Sequence, residues 1–232
     1  MEEKKISVIE ASTNDLINEL RNCGANVPCQ YENINFNGHE YVDLGLPSGT
    51  LWAKCNVGAE SETDYGLYFA WGESKGFEPG KHIFDWRNYK FQHVNGGLTD
   101  YNFEDGLTVL RKEDDAASIN MGGDWRMPTR EHLLELLDEE NTTHETVIVK
   151  CGKGMLFNSR RNGNSLFVPF AGYCDYDSVD GVGYCGHLWS SSLSSEGVGN
   201  AFSLYVGGSS VGADVRYFGF SVRGVCQNSP QQ

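Results

Sequence analysis

Two short motifs set the strongest limits on how this chain folds. Residues 122–129 (Gly-Gly-Asp-Trp-Arg-Met-Pro-Thr) end in proline and threonine, a combination that predicts an N-capped helix directly after them. Residues 217–225 (Tyr-Phe-Gly-Phe-Ser-Val-Arg-Gly-Val) alternate, which predicts a strand with Phe218, Phe220 and Val222 on one face. The two motifs are interpreted as frame elements of one domain, separated by a segment rich in glycine, serine and tyrosine.

Composition and charge exclude several classes of protein. Hydrophobic residues make up 39% of the 232 residues, which is enough for a buried core and unlike a disordered chain. A net charge of −14 argues against a nucleic-acid partner, because binding to phosphates needs lysine and arginine. No apolar run approaches the ~20 residues of a membrane span, so membrane insertion is not expected. The N-terminus lacks the apolar core of a signal peptide, which predicts synthesis and folding in a cytosol.

Neither a metal nor a cofactor is predicted. The seven cysteines lack zinc or redox spacings and are expected to be reduced. Residues 175–181 (Asp-Tyr-Asp-Ser-Val-Asp-Gly) partly match a calcium loop. Their third acid is one residue late, however, and Gly186 stands where a bidentate glutamate is needed. Solvated turn acids are the favoured interpretation.

The chain is predicted to have three parts. Residues 1–37 are interpreted as an attachment or oligomerisation segment with one short helix that ends at about Cys23; packing of this helix on its own domain is the alternative. Residues 38–226 are expected to form one α+β domain. Residues 227–232 are expected to be a disordered tail.

The secondary structure of the domain follows from apolar periodicity and turn residues. Helices are predicted near 113–120 and 130–139. Residues 73–110 carry aromatics without a period, which predicts a long packed loop, and the continuous apolar run at 66–72 predicts a central strand. The predicted strands are 50–57, 66–72, 146–151, 155–159, 165–170, 201–206 and 215–225.

Several large residues are predicted to serve the frame of the domain. Arg126 and Arg223 lie inside the two motifs and are expected to be structural ion-pair partners. The tryptophans expected in the core are Trp52, Trp71, Trp125 and Trp189.

Seven ordered motifs resemble a known family. They are residues 40–52, 68–73, 113–117, 122–129, 169–173, 189–192 and 219–225. Together they are similar to the Fibrobacter succinogenes major paralogous domain, which is abundant in gut Bacteroidetes and their phages. The resemblance implies a C-type lectin-like fold with two helices, short twisted antiparallel sheets and long loops. It also implies that the strand at 215–225 pairs near the start of the domain and that the segment after Tyr173 builds the ligand face.

The resemblance also raises an enzymatic alternative, because formylglycine-generating enzymes share the implied fold and use cysteine chemistry. Cys185 and His187 share a face if they lie on one strand. No orienting acid, oxyanion motif or second close cysteine accompanies them. A small buried thiol beside an exposed histidine is favoured, so no catalytic residue is predicted and the chain is expected not to be an enzyme.

The composition of residues 172–220 favours ligand binding. This segment has no lysine, glutamine, methionine, isoleucine, threonine or proline, and its Ser-Gly-Tyr-Asp mixture is typical of antibody paratopes. Diversification by a retroelement would leave such a pattern, and an ordinary Gly/Ser-rich β region is the alternative. Ligand contacts are predicted from Tyr176, Asp177, His187, Tyr205, Ser209, Asp214, Arg216 and Tyr217.

The expected function is host-surface recognition by a phage virion protein. The virion location follows from the absent signal peptide and the distribution of the family; a bacterial cell-surface adhesion domain is the alternative. The expected partners are a host cell-surface glycan or protein, and a larger virion or surface assembly bound through residues 1–37. A homo-oligomer is left open. Acids at the rim favour a neutral or basic ligand over an anionic one, and a decoration protein without a ligand is a third hypothesis.

Overall fold

The described part of the chain folds into four small β-sheets and two short α-helices. The computed structural model describes residues 35–102, 104–150 and 152–227. The helix predicted to end at about Cys23, the attachment segment up to residue 34 and the tail from residue 228 lie outside the described residues.

The first sheet joins the two ends of the described chain. Its strand order is β1-β2-β3-β14. The predicted return of the chain to the start of the domain is confirmed, because Val225 pairs antiparallel with Trp52. The strands are β1 (Asn35–Phe36), β2 (His39–Asp43), β3 (Thr50–Ala53) and β14 (Val225–Gln227).

The second sheet has five strands in the order β12-β11-β10-β13-β4. Its strands are β4 (Tyr68–Phe69), β10 (His187–Leu193), β11 (Asn200–Tyr205), β12 (Ser210–Val215) and β13 (Phe220–Ser221). β10 and β13 are parallel, and the other neighbours are antiparallel. The central strand predicted at 66–72 is wrong: β4 is a two-residue edge strand, because Gly66 and Gly72 adopt φ angles of 71° and 81° that end the extended run.

The strands of the two remaining sheets lie between β4 and β10 in the sequence. One has the order β5-β6-β7, which confirms the predicted meander and places Pro169 on an edge strand. The other is a two-stranded hairpin of β8 and β9. The strands are β5 (Thr142–Val149), β6 (Gly152–Ser159), β7 (Ser165–Pro169), β8 (Tyr173–Asp175) and β9 (Ser178–Asp180).

Both helices begin at capped residues. A 3₁₀ turn at Lys112–Asp114 precedes α1 (Ala116–Met121), and Asp115 caps α1 by accepting a 2.8 Å hydrogen bond from the Ser118 amide. The predicted cap at Thr129 is confirmed for α2 (Arg130–Leu137), where the Thr129 and His132 side chains cap each other's backbone amides. Within the described residues, no helix is long and apolar enough to cross a membrane.

The predicted fold class, an α+β C-type lectin-like domain, is wrong. The protein is mostly β-sheet, with several small antiparallel sheets, and does not resemble a two-helix α+β lectin fold. The predicted helices do form, but they have only six and eight residues. Elements of one or two turns cover little of the sheet surface, so sheets and the long loop between β4 and α1 enclose most of the core.

The strand predicted at 215–225 is also wrong as one element. The chain leaves β12 after Val215, turns through a 3.0 Å hydrogen bond from the Phe218 amide to the Val215 carbonyl, and forms β13 and β14 separately. Gly219 allows this path because a Cβ there would lie 2.6 Å from the Phe84 ring. The alternation of apolar and polar residues in this segment therefore does not reveal the bend, which is imposed by tertiary contacts.

The core has two clusters, one on each side of the second sheet. One includes Leu133 and Leu136 of α2 packed with Leu188 and Leu204 of the sheet. The other is rich in aromatic residues and confirms the packed-loop prediction with Phe84, Tyr89, Phe91 and Tyr101, each at most 4% exposed. The burial predicted for the four tryptophans is confirmed, since Trp52, Trp71, Trp125 and Trp189 are at most 1% exposed.

Arg223 is a buried structural residue held by neutral oxygens, so the ion pair predicted for it is not confirmed. Its side chain is fully buried and donates to the Asn56 Oδ1 at 2.9 Å and to the carbonyls of Lys54 and Phe167 at 2.9 and 2.8 Å. Burial lowers the pKa of this guanidinium to about 10. These bonds join the end of the first sheet to β7.

Candidate ligand-binding face

One face of the second sheet is open over β12 and over the adjoining ends of β10 and β11, whereas Trp189 and Ala201 on the same face are buried in the aromatic cluster. Side chains alternate along each strand, and the register places His187 opposite Tyr205 and Ala201 opposite Asp214. The opposite face carries Leu188 and Leu204, which pack in the same cluster as α2. We call the exposed part of the first surface the open face and define it by His187, Tyr205, Ser210, Gly212 and Asp214.

A row of partly exposed aromatic rings runs from the open face onto neighbouring loops. Consecutive ring centroids lie between 5.0 and 5.9 Å apart, within the range of favourable aromatic pairs. We call this the aromatic row. In spatial order it consists of Tyr205, His187, Tyr173, Phe218, Tyr217 and Trp86.

Buried rings support the aromatic row from below. The His187 ring stacks on Phe220 with centroids 4.4 Å apart, and Phe220 stacks on Trp189 at 4.2 Å. Phe220 and Trp189 are at most 1% exposed, whereas Tyr205 is 38% exposed. The row is therefore a fixed surface rather than a set of independent side chains.

A carboxylate lies on the open face beside the aromatic row. Asp214 Oδ2 accepts a 2.5 Å hydrogen bond from Ser203 Oγ and lies 3.8 Å from His187 Nδ1. Burial opposes ionisation of Asp214, but the approach of His187 and the hydrogen bond from Ser203 outweigh it, so the pKa of the carboxyl is lowered. Asp214 is thus held as a carboxylate whose side chain remains 28% exposed.

Asp214 is expected to give the protein an acid-sensitive increment of stability. Its pKa is lower in the folded than in the unfolded chain, so the increment is present above the unfolded value near ~3.9 and is lost as pH falls through the folded pKa. Asp214→Asn should therefore lower the free energy of unfolding by about 1–2 kcal/mol at neutral pH and by progressively less below about pH 4. Urea unfolding between about pH 3 and 7 measures this difference. Ser203→Ala should lose part of the same increment, and a difference that stays constant with pH would contradict the assignment.

The charge around the aromatic row is negative. No lysine or arginine occurs between Arg161 and Arg216, and the acids in this range are Asp175, Asp177, Asp180, Glu196 and Asp214. The pKa of Tyr217 is raised mainly by burial and further by the negative charge of Asp175. The pKa of Tyr173 is raised mainly by burial and further by Asp180. Both phenols therefore remain neutral hydrogen-bonding groups.

The structure brings four of the eight predicted contact residues together. His187, Tyr205 and Asp214 share the open face, and Tyr217 belongs to the aromatic row. Three of the others lie in turns that border this surface. Tyr176 and Asp177 form the exposed turn between β8 and β9, near Tyr217, and Ser209 lies in the β11–β12 turn with a φ of 49°.

Arg216 is a correction, because it cannot contact a ligand where it lies. The side chain is 0% exposed, and its guanidinium carbon stacks 4.6 Å from the Trp71 ring centroid. Its Nε donates to Tyr89 Oη at 2.8 Å, and its terminal nitrogens donate to the backbone carbonyls of Asp100 and Tyr101 in the long loop and of Val198 between β10 and β11. Arg216 was predicted to be exposed because it lies between Asp214 and Tyr217 in the sequence, but the turn after β12 directs its side chain into the core.

Sequence reasoning missed Ser203, which holds Asp214, and five residues of the surface itself: Trp86, Tyr173, Phe218, Ser210 and Gly212. Ser203 lies two positions before Tyr205 on one strand, so strand alternation could have found it. The resemblance placed the ligand face after Tyr173, and Trp86 belongs to the long loop, where no periodicity reveals which rings face outward.

The thiol considered for the enzymatic alternative is poorly suited to nucleophilic chemistry. Cys185 precedes β10, and burial raises the pKa of its thiol. His187 lies with its ring stacked on Phe220 and its Nδ1 directed towards Asp214. A catalytic cysteine needs the opposite shift, towards a thiolate at neutral pH.

The segment considered as a calcium loop is the β8–β9 hairpin. Asp175 and Ser178 pair across a two-residue turn, so the three acids project along a ribbon instead of converging on one point. In the part of the chain that the structure describes, no group of three or more His, Cys, Asp or Glu side chains is placed to hold a metal ion.

A separate groove of about 930 Å³ lies away from the open face. It is lined by the loop at 54–63, by β2, and by residues of α1 and the β5–β6 hairpin. Its charges have both signs, and Lys54 pairs with Glu40 at 2.8 Å. Burial raises the pKa of Cys55, the thiol that lines it. This groove has neither the aromatic rings nor the uniform charge of the open face.

Comparison with known protein families, curated proteins and solved structures found no match. The resemblance to the Fibrobacter succinogenes major paralogous domain therefore stays a prediction from its motifs.

Proposed function

We propose that this protein is a non-catalytic binding protein whose ligand contacts the aromatic row and the open face. The observation that carries the proposal is the aromatic row itself. Tyrosine and tryptophan rings offer large contact areas with few rotatable bonds, so little conformational entropy is lost on binding. A fixed, partly exposed row of such rings beside an open sheet face is the kind of surface that concentrates binding energy.

The chemistry of the same surface favours binding over catalysis. The thiol of Cys185 has a raised pKa, and the hydroxyl of Ser203 is fully buried and donates to Asp214 rather than to a histidine base. These groups are arranged to recognise hydrogen-bond donors and apolar faces, not to transfer a proton or form a covalent intermediate.

The biological setting that we propose is recognition of a host surface by a virion. Its support is the motif resemblance to a family found in gut Bacteroidetes and their phages, together with the paratope-like composition of residues 172–220. An adhesion protein of a bacterial cell surface is the alternative setting, with the same ligand face.

Tyr205→Ala tests the ligand face directly. Loss of an exposed ring in contact with His187 should weaken binding about 10-fold or more without unfolding the protein. The measurement uses the purified, fluorescently labelled protein in tetravalent form, with a panel of Bacteroidetes cells and a glycan array as probes. The matched control is Ile148→Ala, which removes a 60% exposed side chain from β5, on a different sheet.

Two outcomes would contradict the proposal. Wild-type binding by the Tyr205→Ala variant would exclude the aromatic row as the contact surface. Failure of the tetravalent wild-type protein to bind any cell or glycan would favour a decoration protein without a ligand.

A further inference from the structure

We propose that the outer edge of β12 binds an extended, basic segment of a partner protein, which joins the second sheet as an additional strand. The added segment would place alternate side chains over the open face. This inference rests on the proposed binding function and names the class of partner that the site accepts.

The backbone of β12 has a free edge. The strand is the outermost of its sheet, and the Arg216 amide donates to the Gly199 carbonyl at 3.1 Å just beyond it. In an antiparallel ladder hydrogen-bonded pairs alternate, so the amides and carbonyls of Val211 and Ala213 point away from β11. Among the described residues, none forms a hydrogen bond to these outward groups.

This edge lacks most of the features that usually protect a strand from further pairing, and its one charged side chain is Asp214. Proteins commonly place lysine, proline, a bulge or a very short strand at an exposed edge. β4, at the other end of the same sheet, has only two residues, and β7 ends at Pro169. β12 has six residues (Ser-Val-Gly-Ala-Asp-Val) and pairs with β11 in continuous register. It is therefore a template for one more strand.

Charge selects a basic segment rather than a second copy of the chain. Residues 162–215 contain five acids and neither lysine nor arginine, and the whole chain carries a net charge of −14. Two copies meeting at this edge would bring like charges together, whereas a basic segment would be attracted to it. Asp214, on β12 itself, is the nearest carboxylate.

The side chains beside the edge leave room for the partner's basic groups. A strand added next to β12 lies about 4.8 Å away, and every second side chain falls on the open face beside Ser210, Gly212 and Asp214. A Cβ built on Gly212 meets no atom within 4 Å, so the surface there is not filled. A lysine or arginine in this position can pair with Asp214 and approach the exposed ring of Tyr205.

The test uses a fluorescently labelled peptide of about ten alternating lysines and valines as the probe, with fluorescence anisotropy as the readout. The wild-type protein should bind it, and the peptide with glutamate in place of lysine should bind at least about 10-fold more weakly. Ala213→Pro removes one outward amide and should weaken binding about 10-fold or more. Asp214→Asn, which leaves the edge backbone intact, should weaken binding about 3-fold and reduce its dependence on salt.

The matched control is Thr146→Pro on the outer edge of β5. The Arg160 amide donates to the Asn141 carbonyl, so by the same alternation the Thr146 amide also points outward, but on a different sheet. This variant should bind the lysine–valine peptide like the wild type. Thermal unfolding confirms that both proline variants are folded.

Three outcomes would overturn the inference. The first is that the peptide binds Ala213→Pro and the wild type equally, and the second is that the wild type does not bind the peptide at concentrations up to about 1 mM. The third is that the wild type sediments as a dimer that Ala213→Pro dissociates, which would assign the edge to a second copy of the chain. Cell binding that Tyr205→Ala abolishes, without any peptide binding, would reject the edge and leave the proposed function intact. If Ala213→Pro abolishes peptide binding and Tyr205→Ala leaves it unchanged, the result would support the β12 edge as the binding site and count against the aromatic row as the contact surface.

Discussion

Arg216→Met is expected to lower the free energy of unfolding by about 3–5 kcal/mol, a large part of the stability of a domain of this size. The substitution leaves Tyr89 Oη and the carbonyls of Asp100, Tyr101 and Val198 without their buried donor. Each unsatisfied buried group costs about 1–3 kcal/mol, although relief from burying a charge offsets part of the loss. Urea unfolding followed by tryptophan fluorescence measures the change.

Two further variants separate the geometry of Arg216 from its charge and size. Arg216→Lys keeps the charge but cannot reach the same acceptors with one ammonium, so it should still lose more than about 2 kcal/mol. Arg160→Met makes the same chemical change at an exposed position and should alter stability by less than about 0.5 kcal/mol. A loss below about 1 kcal/mol for Arg216→Met would show that the long loop is not fastened through this side chain.

Gly172→Ala is expected to destabilise the protein by about 3–4 kcal/mol. Gly172 has a φ of 70°, and a Cβ there would lie 2.2 Å from the Asp180 carbonyl oxygen and 2.9 Å from the Val182 amide nitrogen. Both are backbone atoms, so rotation of a side chain cannot relieve the contact. The β8–β9 hairpin would have to move, and Tyr173 with it, so binding should weaken together with stability.

The control for this prediction is Gly163→Ala. Gly163 has a similar φ of 77°, but a Cβ there meets nothing within 4 Å. It should therefore cost only the ~1 kcal/mol of placing alanine in the left-handed region. Equal losses for the two variants, measured by urea unfolding, would contradict the role given to close backbone contact at Gly172.

The sequence predicted elements whose signals are local. The cap at Thr129, the β5–β7 meander and the burial of the tryptophans follow from neighbouring residues alone, and all three are confirmed. The prediction of one strand across 215–225 was wrong because the chain bends there. The bend depends on contacts of Arg216 with Trp71 and of Gly219 with Phe84, which are remote in sequence. The predicted fold class was wrong for a related reason. The number of helices could be predicted from local signals, but the division of the strands among four sheets could not.

The candidate site was predictable in composition but not in arrangement. His187, Tyr205 and Asp214 were chosen as polar or aromatic residues of one segment, and the strand register places them on one face. Register is set by pairing between strands, which a single sequence does not encode locally. For that reason Arg216, between two predicted contacts, was assigned to the surface, and Trp86 was missed.

The pairing of β14 with β3 has a mechanical consequence. Asn35 and Gln227, the two ends of the described chain, belong to the same four-stranded sheet, while the sheet that carries the open face comes from the chain between them. Tension applied at these two ends is borne first by the hydrogen bonds of β1, β2, β3 and β14. The sheet that carries the open face is therefore loaded only after the first sheet opens.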